Sequence, residues 1–184
     1  MKTKITLTTG PMFSGKSSWI IRELSKRNPN EVLAVKYFLD KRYDALSIAT
    51  HDGIKLSAKS AKNEQDILKL IKSNPKIKTV GIDELQFFNP TISNLLTDLK
   101  SKNIEILTAG LNVDHNNKEW ETTQRVRNVA DKIIELVAIC AVCGKKNATI
   151  TNRKGRRNER IVIGGSELYE SLCKKDYQKA ITLV

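Results

Sequence analysis

Several residue types are scarce in this sequence, and their scarcity excludes some classes of protein. Its 184 residues include nine Gly and four Pro, too few for a collagen-like or low-complexity chain. Apolar runs such as residues 133–139 are far shorter than the ~20 residues of a membrane-spanning helix. The opening MKTKITLTTG has no apolar stretch before a small-residue cleavage site. We therefore expect a cytoplasmic protein without a membrane partner, whose three Cys stay reduced.

Acidic residues are also outnumbered, with 20 Asp and Glu against 32 Lys and Arg and a formal net charge of +12. From residue 141 onward, ten basic residues face four acidic ones, so half of the excess lies in about a quarter of the chain. Such charge favours a polyanionic partner, which could be nucleic acid, a nucleotide phosphate or a membrane surface. Aromatic residues form only 5% of the chain and do not alternate with the basic ones, which argues against a stacking platform for single strands. We interpret the scattered lysines mainly as a solubilising surface.

Apolar and amphipathic segments alternate along most of the chain. Short apolar runs predict strands at residues 5–9, 32–35, 79–83, 104–107 and 133–139. Apolar residues at helical spacing predict helices at residues 16–27, 65–73 and 91–100. This alternation is typical of an α/β domain with a parallel sheet flanked by helices, although it does not give the strand order.

The pattern changes after residue 139, where helical periodicity ends and Cys, Gly and basic residues become frequent. We therefore predict an α/β domain at residues 1–139 and a small, loop-rich subdomain at residues 140–184. The basic, Gly-containing stretch after Cys143, which includes NRKGRR at residues 152–157, is a candidate lid.

A phosphate-binding motif follows the first predicted strand. Residues 10–17, GPMFSGKS, fit G-x4-G-K-[ST] and lie between a strand and a helix, as the motif requires. The glycines let backbone N–H groups turn toward an anion, and the helix N-terminus adds its positive dipole end. Lys16 would reach the β- and γ-phosphates of ATP, and the Ser17 hydroxyl would bind Mg²⁺. The predicted nucleotide-binding residues are Gly10, Pro11, Met12, Phe13, Ser14, Gly15, Lys16 and Ser17.

Two adjacent carboxylates end the third predicted strand. Asp83 is placed to hold Mg²⁺, usually through water, and Glu84 can act as a general base. In other contexts an acidic pair after a strand is often the N-cap of a helix. The P-loop upstream favours the catalytic interpretation here.

Three cysteines complete the set of reactive residues. Cys140 and Cys143 have Cys-x2-Cys spacing, and Cys173 follows at a distance. In a reduced compartment this spacing indicates metal or redox chemistry.

Four segments are informative together: GPMFSGKS, KYFLDKRYDALSIATHDG at residues 36–53, GIDELQFF at residues 81–88, and CAVC followed by IGGSELYESLC at residues 163–173. In this order they resemble the type II thymidine kinases, the zinc-containing family with a lasso loop, over nearly the whole chain. The resemblance implies a P-loop NTPase-type sheet with a zinc-binding lasso subdomain. It also implies ATP-dependent phosphorylation of thymidine to dTMP in nucleotide salvage, by a homotetramer.

The resemblance implies roles for residues near the phosphates. Glu84 would take the proton from the 5′-hydroxyl of the nucleoside, whose oxygen attacks the γ-phosphate while Lys16 and Mg²⁺ carry the developing charge. Asp40 and Arg42 match a D-x-R-Y element near the phosphates, where Arg42 would stabilise charge. The other implied nucleotide-binding residues are Asp83 and Gln86.

The resemblance also implies a thymine pocket with walls from two parts of the chain. The matching positions are Met12, Phe87, Leu111, His115, Trp120, Thr151, Val162, Ile163, Gly164 and Tyr169. Without the resemblance, core packing would be the better interpretation of the apolar ones. The chain departs from the family pattern at Leu85 for a small residue, Asn112 for Asp, His115 for Phe, and Glu119-Trp120 for Pro-Phe. These departures bear on which nucleoside is accepted and leave the reaction class in place.

In the resembling family, a second pair of metal ligands stands where this chain has Cys173 and Asp176. Cys140, Cys143, Cys173 and Asp176 would then bind one structural Zn²⁺, which accepts carboxylate oxygen at about 2.0–2.2 Å. Bound zinc would tie the two ends of the lasso together. The alternative is a degenerate site with three free thiols and no metal.

Two other functions fit parts of the sequence. A nucleic-acid-linked P-loop ATPase with a basic, zinc-ribbon-like element would explain the charge, but not the short length or the position of Glu84 beside pocket aromatics. A nucleotide-binding regulatory protein without catalysis is disfavoured because both Lys16 and Glu84 are retained. We therefore expect an enzyme whose partners are a nucleoside and ATP, with no specific nucleic acid.

Overall fold

A computed structural model describes residues 3–39, 46–50, 53–155, 159–162 and 164–182. The strands in these residues are β1 (Ile5–Gly10), β2 (Val32–Tyr37), β3 (Ser47–Ala49), β4 (Lys55–Ser57), β5 (Lys59–Ala61), β6 (Thr79–Asp83), β7 (Glu105–Leu111), β8 (Lys132–Glu135), β9 (Ile150–Arg153) and β10 (Tyr169–Leu172). The helices are α1 (Lys16–Leu24), α2 (Glu64–Ser73), α3 (Ile92–Ser101), α4 (Glu121–Val129) and α5 (Lys174–Thr182). Two short 3₁₀ helices, Pro29–Glu31 and Leu85–Phe87, precede β2 and follow β6.

Six strands form one parallel sheet in the order β5-β2-β6-β7-β1-β8, which confirms the expected α/β architecture. Every residue of β1 and β6 is buried. Because parallel strands end at the same edge of a sheet, the loop after β1 and Asp83 at the end of β6 lie at one edge, separated by β7. Ligands of open parallel sheets bind at this edge.

Helices cover both faces of the sheet. On one face, α2, α3 and α4 contribute Ile67, Leu96 and Val126 to the larger apolar cluster. On the other face, α1 packs Leu24 and its neighbours against the sheet. Gly81 on β6 permits this close approach, since a Cβ there would lie 2.5 Å from Leu24 Cδ1. Each fully buried Leu or Ile contributes about 1.5–3 kcal/mol, so this packing fixes α1 and the loop that precedes it.

A third, smaller cluster joins the antiparallel β9–β10 hairpin to α5 through Ile150, Leu172 and Tyr177. Cys140 and Cys173 are buried in the same cluster. In the predicted loop-rich subdomain, α5 is a regular helix of nine residues that the sequence analysis did not predict. None of the helices in the described residues has the length and apolar composition needed to cross a membrane.

The predicted strand at residues 133–139 is too long, since β8 ends at Glu135. Directly after β8, the N–H of Leu136 still donates to the carbonyl of Thr9 in β1 at 2.8 Å. Ala138 then forms an isolated bridge with Ala148 in the smaller cluster. The chain therefore leaves the parallel sheet beside the P-loop and enters the region of the cysteines.

Candidate functional site

The loop between β1 and α1 has the backbone that a phosphate site needs. Gly10 has φ 153°, and a Cβ there would lie 2.4 Å from the carbonyl oxygen of Leu136, so a larger residue would force a shift. Gly15 caps α1 with φ 86°, a conformation that favours glycine. Because α1 begins at Lys16, the positive end of its dipole faces the loop. The Lys16 ammonium donates to the carbonyl of Pro11 at 2.6 Å and so lies over the loop.

Ser17 and Asp83 meet across the edge of the sheet, where the Ser17 hydroxyl donates to Asp83 Oδ2 at 2.9 Å. Asp83 is only 5% exposed. Burial, and secondarily the charge of Glu84, raise the pKa of Asp83 to about 7. A divalent cation would favour the ionised carboxylate, and a hydroxyl beside a carboxylate oxygen is a donor set that suits Mg²⁺. These two residues could therefore hold the metal of a bound nucleotide.

Glu84 adopts φ 54° and ψ 41°, a left-handed conformation that costs a non-glycine residue free energy and occurs often at functional sites. The side chain of Gln86 holds it in place. The Gln86 amide donates to Glu84 Oε2 at 2.5 Å and accepts from the N–H of Leu111 at 2.9 Å. Gln86 is thus placed behind the carboxylate, where it orients the candidate base.

One cavity brings most of the predicted residues together. The cavity is lined by seven residues predicted to bind the phosphates or the metal or to act in catalysis: Met12, Phe13, Gly15, Lys16, Ser17, Asp83 and Glu84. It is also lined by eight residues predicted to bind the nucleoside: Phe87, Leu111, His115, Trp120, Thr151, Val162, Gly164 and Tyr169. Gly10, Pro11, Ser14 and Gln86 are outside its lining. Asp40, Arg42 and Ile163 lie outside the described residues.

Aromatic rings form one wall of this cavity. Phe87 meets Trp120 edge to face, with ring centroids 5.8 Å apart, and Tyr37 packs behind Phe87 at 5.5 Å. His115 Nε2 and Trp120 Nε1 are buried, and neither has a hydrogen-bond partner among the described residues. The wall therefore carries two polar atoms at positions where the resembling family has phenyl rings.

The β9–β10 hairpin holds the P-loop at Met12. The N–H of Met12 donates to Thr151 Oγ1 at 2.9 Å, and the Ser171 hydroxyl donates to the carbonyl of Met12 at 2.5 Å. The Tyr169 hydroxyl donates to the carbonyl of Val162 at 2.5 Å, which ties residues 159–162 to the hairpin. Thr151 and Tyr169, predicted to contact the nucleoside, thus also organise the walls of its cavity.

Sequence reasoning assigned no role to the side chains of three charged residues that line the cavity: Lys36, Asp114 and Arg160. Lys36 is 2% exposed at the end of β2, where its ammonium donates to the carbonyl of Ser47 at 3.2 Å. A single Lys in the otherwise apolar run VLAVKY was a signal that could have found it. Asp114 and Arg160 have no local signal, because they pair across 46 residues.

The cysteines form a separate cluster. The sulfur atoms of Cys140, Cys143 and Cys173 and a carboxylate oxygen of Asp176 all lie within 4.8 Å of one another. Asp176 Oδ2 accepts from Cys173 Sγ at 3.1 Å and from Cys140 Sγ at 3.3 Å. These two hydrogen bonds, the one from Cys173 first, lower the pKa of Asp176 and favour its ionised form. Three sulfurs and one carboxylate oxygen at these separations suit a tetrahedral Zn²⁺.

Comparison with known proteins finds a likeness over nearly the whole chain. The thymidine kinase family model matches residues 3–177. A thymidine kinase of Pseudothermotoga lettingae is 32% identical over 181 residues and covers 97% of each chain. One of Pyrobaculum aerophilum is 36% identical over 182 residues, covering 94% of this chain and 97% of the relative. The Pif1 helicase from Candida albicans matches 73% of this chain and 36% of its own with a TM-score of 0.41 and 16% identity, a likeness too weak to bear on function.

The matched region includes the P-loop, the Asp83–Glu84 pair, and the cluster of Cys140, Cys143, Cys173 and Asp176. The likeness is therefore not confined to a phosphate-binding motif that many unrelated enzymes share. The chain belongs to the thymidine kinase family, whose members are phosphotransferases.

Proposed function

We propose that this protein transfers the γ-phosphoryl group of ATP to the 5′-hydroxyl of thymidine and so forms dTMP for nucleotide salvage. The observation that carries the proposal is the single cavity lined by Lys16 and Ser17, by Glu84, and by the rings of Phe87 and Trp120. A phosphate-binding loop, a carboxylate and a wall for a flat base thus share one space. Membership in the thymidine kinase family supports the same reaction.

In the proposed reaction, Glu84 accepts the proton of the 5′-hydroxyl as its oxygen attacks the γ-phosphorus and the bond to the oxygen of ADP breaks. Gln86 supports this role because it fixes the orientation of the Glu84 carboxylate. Lys16 stabilises the negative charge that develops on the phosphoryl oxygens. Ser17 and Asp83 would hold Mg²⁺, which offsets the phosphate charge when bound.

The nucleoside half of the site is proposed to follow the resembling family. Phe87 and Trp120 would pack against the thymine ring, and backbone groups of residues 160–164 would bind its polar edge. Residues 140–184 would form the lasso subdomain that closes the cavity of the catalytic domain at residues 1–139. Closure matters because water would otherwise accept the phosphoryl group in place of the nucleoside. Asp40 and Arg42 are proposed to act near the phosphates.

The Cys3Asp cluster is proposed to hold one structural Zn²⁺. Its donor set fits this ion, and the apolar cluster around it is small, so metal binding would contribute to the folding of this region. We also propose that the protein works in the cytoplasm as a homotetramer, as the family resemblance implies.

A nucleoside panel tests the function. Protein, ATP and Mg²⁺ are incubated with thymidine, deoxyuridine, deoxycytidine, deoxyadenosine or deoxyguanosine, and monophosphates are separated by chromatography. We expect dTMP from thymidine, and little product from a Glu84→Gln control. ATP hydrolysis that requires DNA and no nucleoside would contradict the proposal and favour the nucleic-acid-linked ATPase.

A further inference from the structure

A single arginine joins two segments that line the cavity. Arg160 lies in residues 159–162, and its contacts lie in the loop that follows β7. Its Nε donates to Asp114 Oδ2 at 2.7 Å, and its Nη2 donates to the carbonyl of Glu119 at 2.8 Å. Its guanidinium also covers the indole of Trp120, with Cζ 4.4 Å from the ring centroid. One side chain thus holds the loop by a charge, a backbone carbonyl and an aromatic face.

The ion pair differs from an ordinary surface pair because its acidic partner is buried. The Asp114 side chain is 1% exposed, whereas that of Arg160 is 48% exposed. Asp114 Oδ1 accepts the N–H groups of Asn116 and Lys118, both at 2.9 Å, and so closes the turn. The other carboxylate oxygen binds Arg160. Removal of Arg160 would leave a buried carboxylate without this charged partner, which is far more costly than loss of an exposed pair.

The third contact, between the Arg160 guanidinium and the Trp120 ring, connects Arg160 to the region of the candidate base. Trp120 is 7% exposed and meets Phe87 edge to face at 82°. Phe87 ends the 3₁₀ helix that begins directly after Glu84. Among aromatic side chains, indole binds a guanidinium most strongly, so Arg160 restricts the ring that it covers. The contact therefore sets the position of the Trp120 ring, which packs against Phe87, and Phe87 lies three residues after Glu84.

We propose that Arg160 is a positioning residue for the nucleoside. It clamps residues 159–162 to the loop that follows β7 and fixes the Trp120 ring as a wall of the thymine pocket. This inference rests on the proposed function and deepens it, because it assigns nucleoside affinity to a side chain that acts through Trp120. Two of its three partners, Asp114 and Trp120, line the cavity, and none of the three belongs to the P-loop, so ATP binding should not depend on the clamp.

The first test separates the two Michaelis constants. Arg160→Gln should raise KM for thymidine at least tenfold and leave KM for ATP within twofold. The thymidine KM of Arg160→Lys should lie between those of Arg160→Gln and the parent, because an ammonium keeps the charge but lacks the planar guanidinium that binds two acceptors. Arg125→Gln is the matched control, since Arg125 pairs with Glu121 at 3.2 Å and both side chains are more than 60% exposed. A thymidine KM within twofold of the parent, or an equal rise in both constants, would overturn the proposal.

The second test does not require activity, and so it distinguishes failure of the clamp from failure of the proposed function. The chain has two tryptophans, so in a Trp19→Phe background fluorescence reports on Trp120 alone. Without any nucleoside, Arg160→Gln should increase acrylamide quenching of Trp120, because the covering guanidinium is gone, while Arg125→Gln should not. Unchanged quenching would overturn the clamp even in an active enzyme. A parent protein that fails to phosphorylate thymidine, combined with increased quenching, would refute the proposed function and support the clamp.

Discussion

Replacement of Asp83 by Asn should make the ligand-free protein more stable while it destroys activity. Burial raises the pKa of Asp83 from an ordinary 3.8 to about 7. The unfolded chain therefore releases this proton near pH 4, whereas the folded protein keeps it until near pH 7. The contribution of Asp83 to the free energy of unfolding is complete below pH 4 and is lost as the pH rises through 7. Asn resembles the protonated carboxyl and shows no such loss.

The size of the effect follows from the pKa shift. One pKa unit corresponds to about 1.4 kcal/mol, so a shift of roughly three units corresponds to about 4 kcal/mol above pH 7. Between pH 5 and pH 7, the parent should lose roughly 2 kcal/mol of unfolding free energy relative to Asp83→Asn. For a chain of this length, that difference amounts to roughly 4–8 °C in Tm.

The assay is urea unfolding of both proteins at pH 5, 6, 7 and 8 without Mg²⁺ or nucleotide. Chelators are omitted so that the proposed Zn²⁺ stays at the Cys3Asp cluster, and the pH dependence of that cluster cancels in the difference between the two proteins. Asp98→Asn, which changes an exposed carboxylate on α3, is the control and should follow the parent. With ATP and Mg²⁺, Asp83→Asn should form little dTMP. Parallel stability profiles for the parent and Asp83→Asn would refute the reasoning.

Four further predictions concern Glu84, Lys16 and the Cys3Asp cluster. Glu84→Gln should cut kcat by roughly 10²–10⁴, the range for a positioned base, and retain ATP binding; near-normal turnover would exclude Glu84 as the base. Lys16→Ala should abolish phosphoryl transfer and spare thymidine binding, measured by calorimetry without ATP; lost binding in a folded variant would contradict the separate roles. Purified protein should contain about one Zn²⁺ per chain, a prediction from the donor set that metal-free protein with full activity would disprove. Competition with a chelator should show tighter zinc binding in Asp176→Cys and release in Cys143→Ser, because thiolate is the softer ligand.

Helices with an apolar stripe could be predicted from the sequence, whereas a helix with a polar buried face could not. In α1, Trp19 and Leu24 are buried as their spacing predicts. In α4, the buried face carries Thr122 and Thr123, whose hydroxyls donate to the carbonyls of Phe88 at 2.6 Å and Leu111 at 2.9 Å. Those partners come from other elements, so the local pattern of α4 is that of a polar segment.

Strand order was beyond the sequence because it depends on pairing between distant segments. The local apolar runs predicted most of the strands of the parallel sheet. That β1 lies between β7 and β8, and that β6 lies between β2 and β7, follows only from tertiary packing. The three-residue strands β3, β4 and β5 are too short to show a periodic pattern.

In the candidate site too, local motifs could be predicted from the sequence, whereas contacts between distant segments could not. The P-loop, the acidic pair and the Cys-x2-Cys spacing are local motifs, so the sequence predicted them by residue number. Ser171 has a role only through Met12, 159 residues away. Leu85 likewise has a tertiary contact that its local sequence does not indicate. It is fully buried, and a Cβ on Gly110 of β7 would lie 3.1 Å from its own Cβ.

The Cys3Asp cluster and the P-loop are connected through the antiparallel pair β9–β10. Cys173 follows β10 directly, and Ser171 within β10 binds the carbonyl of Met12. Thr151 in β9 takes the N–H of the same residue, so both backbone polar groups of Met12 are held by the hairpin. Ser171 lies only two residues before Cys173, so loss of order at the cluster would disturb the hydrogen bond that holds the phosphate-binding loop. A structural Zn²⁺ would therefore support the geometry of the P-loop at Met12 as well as the segment that covers the nucleoside.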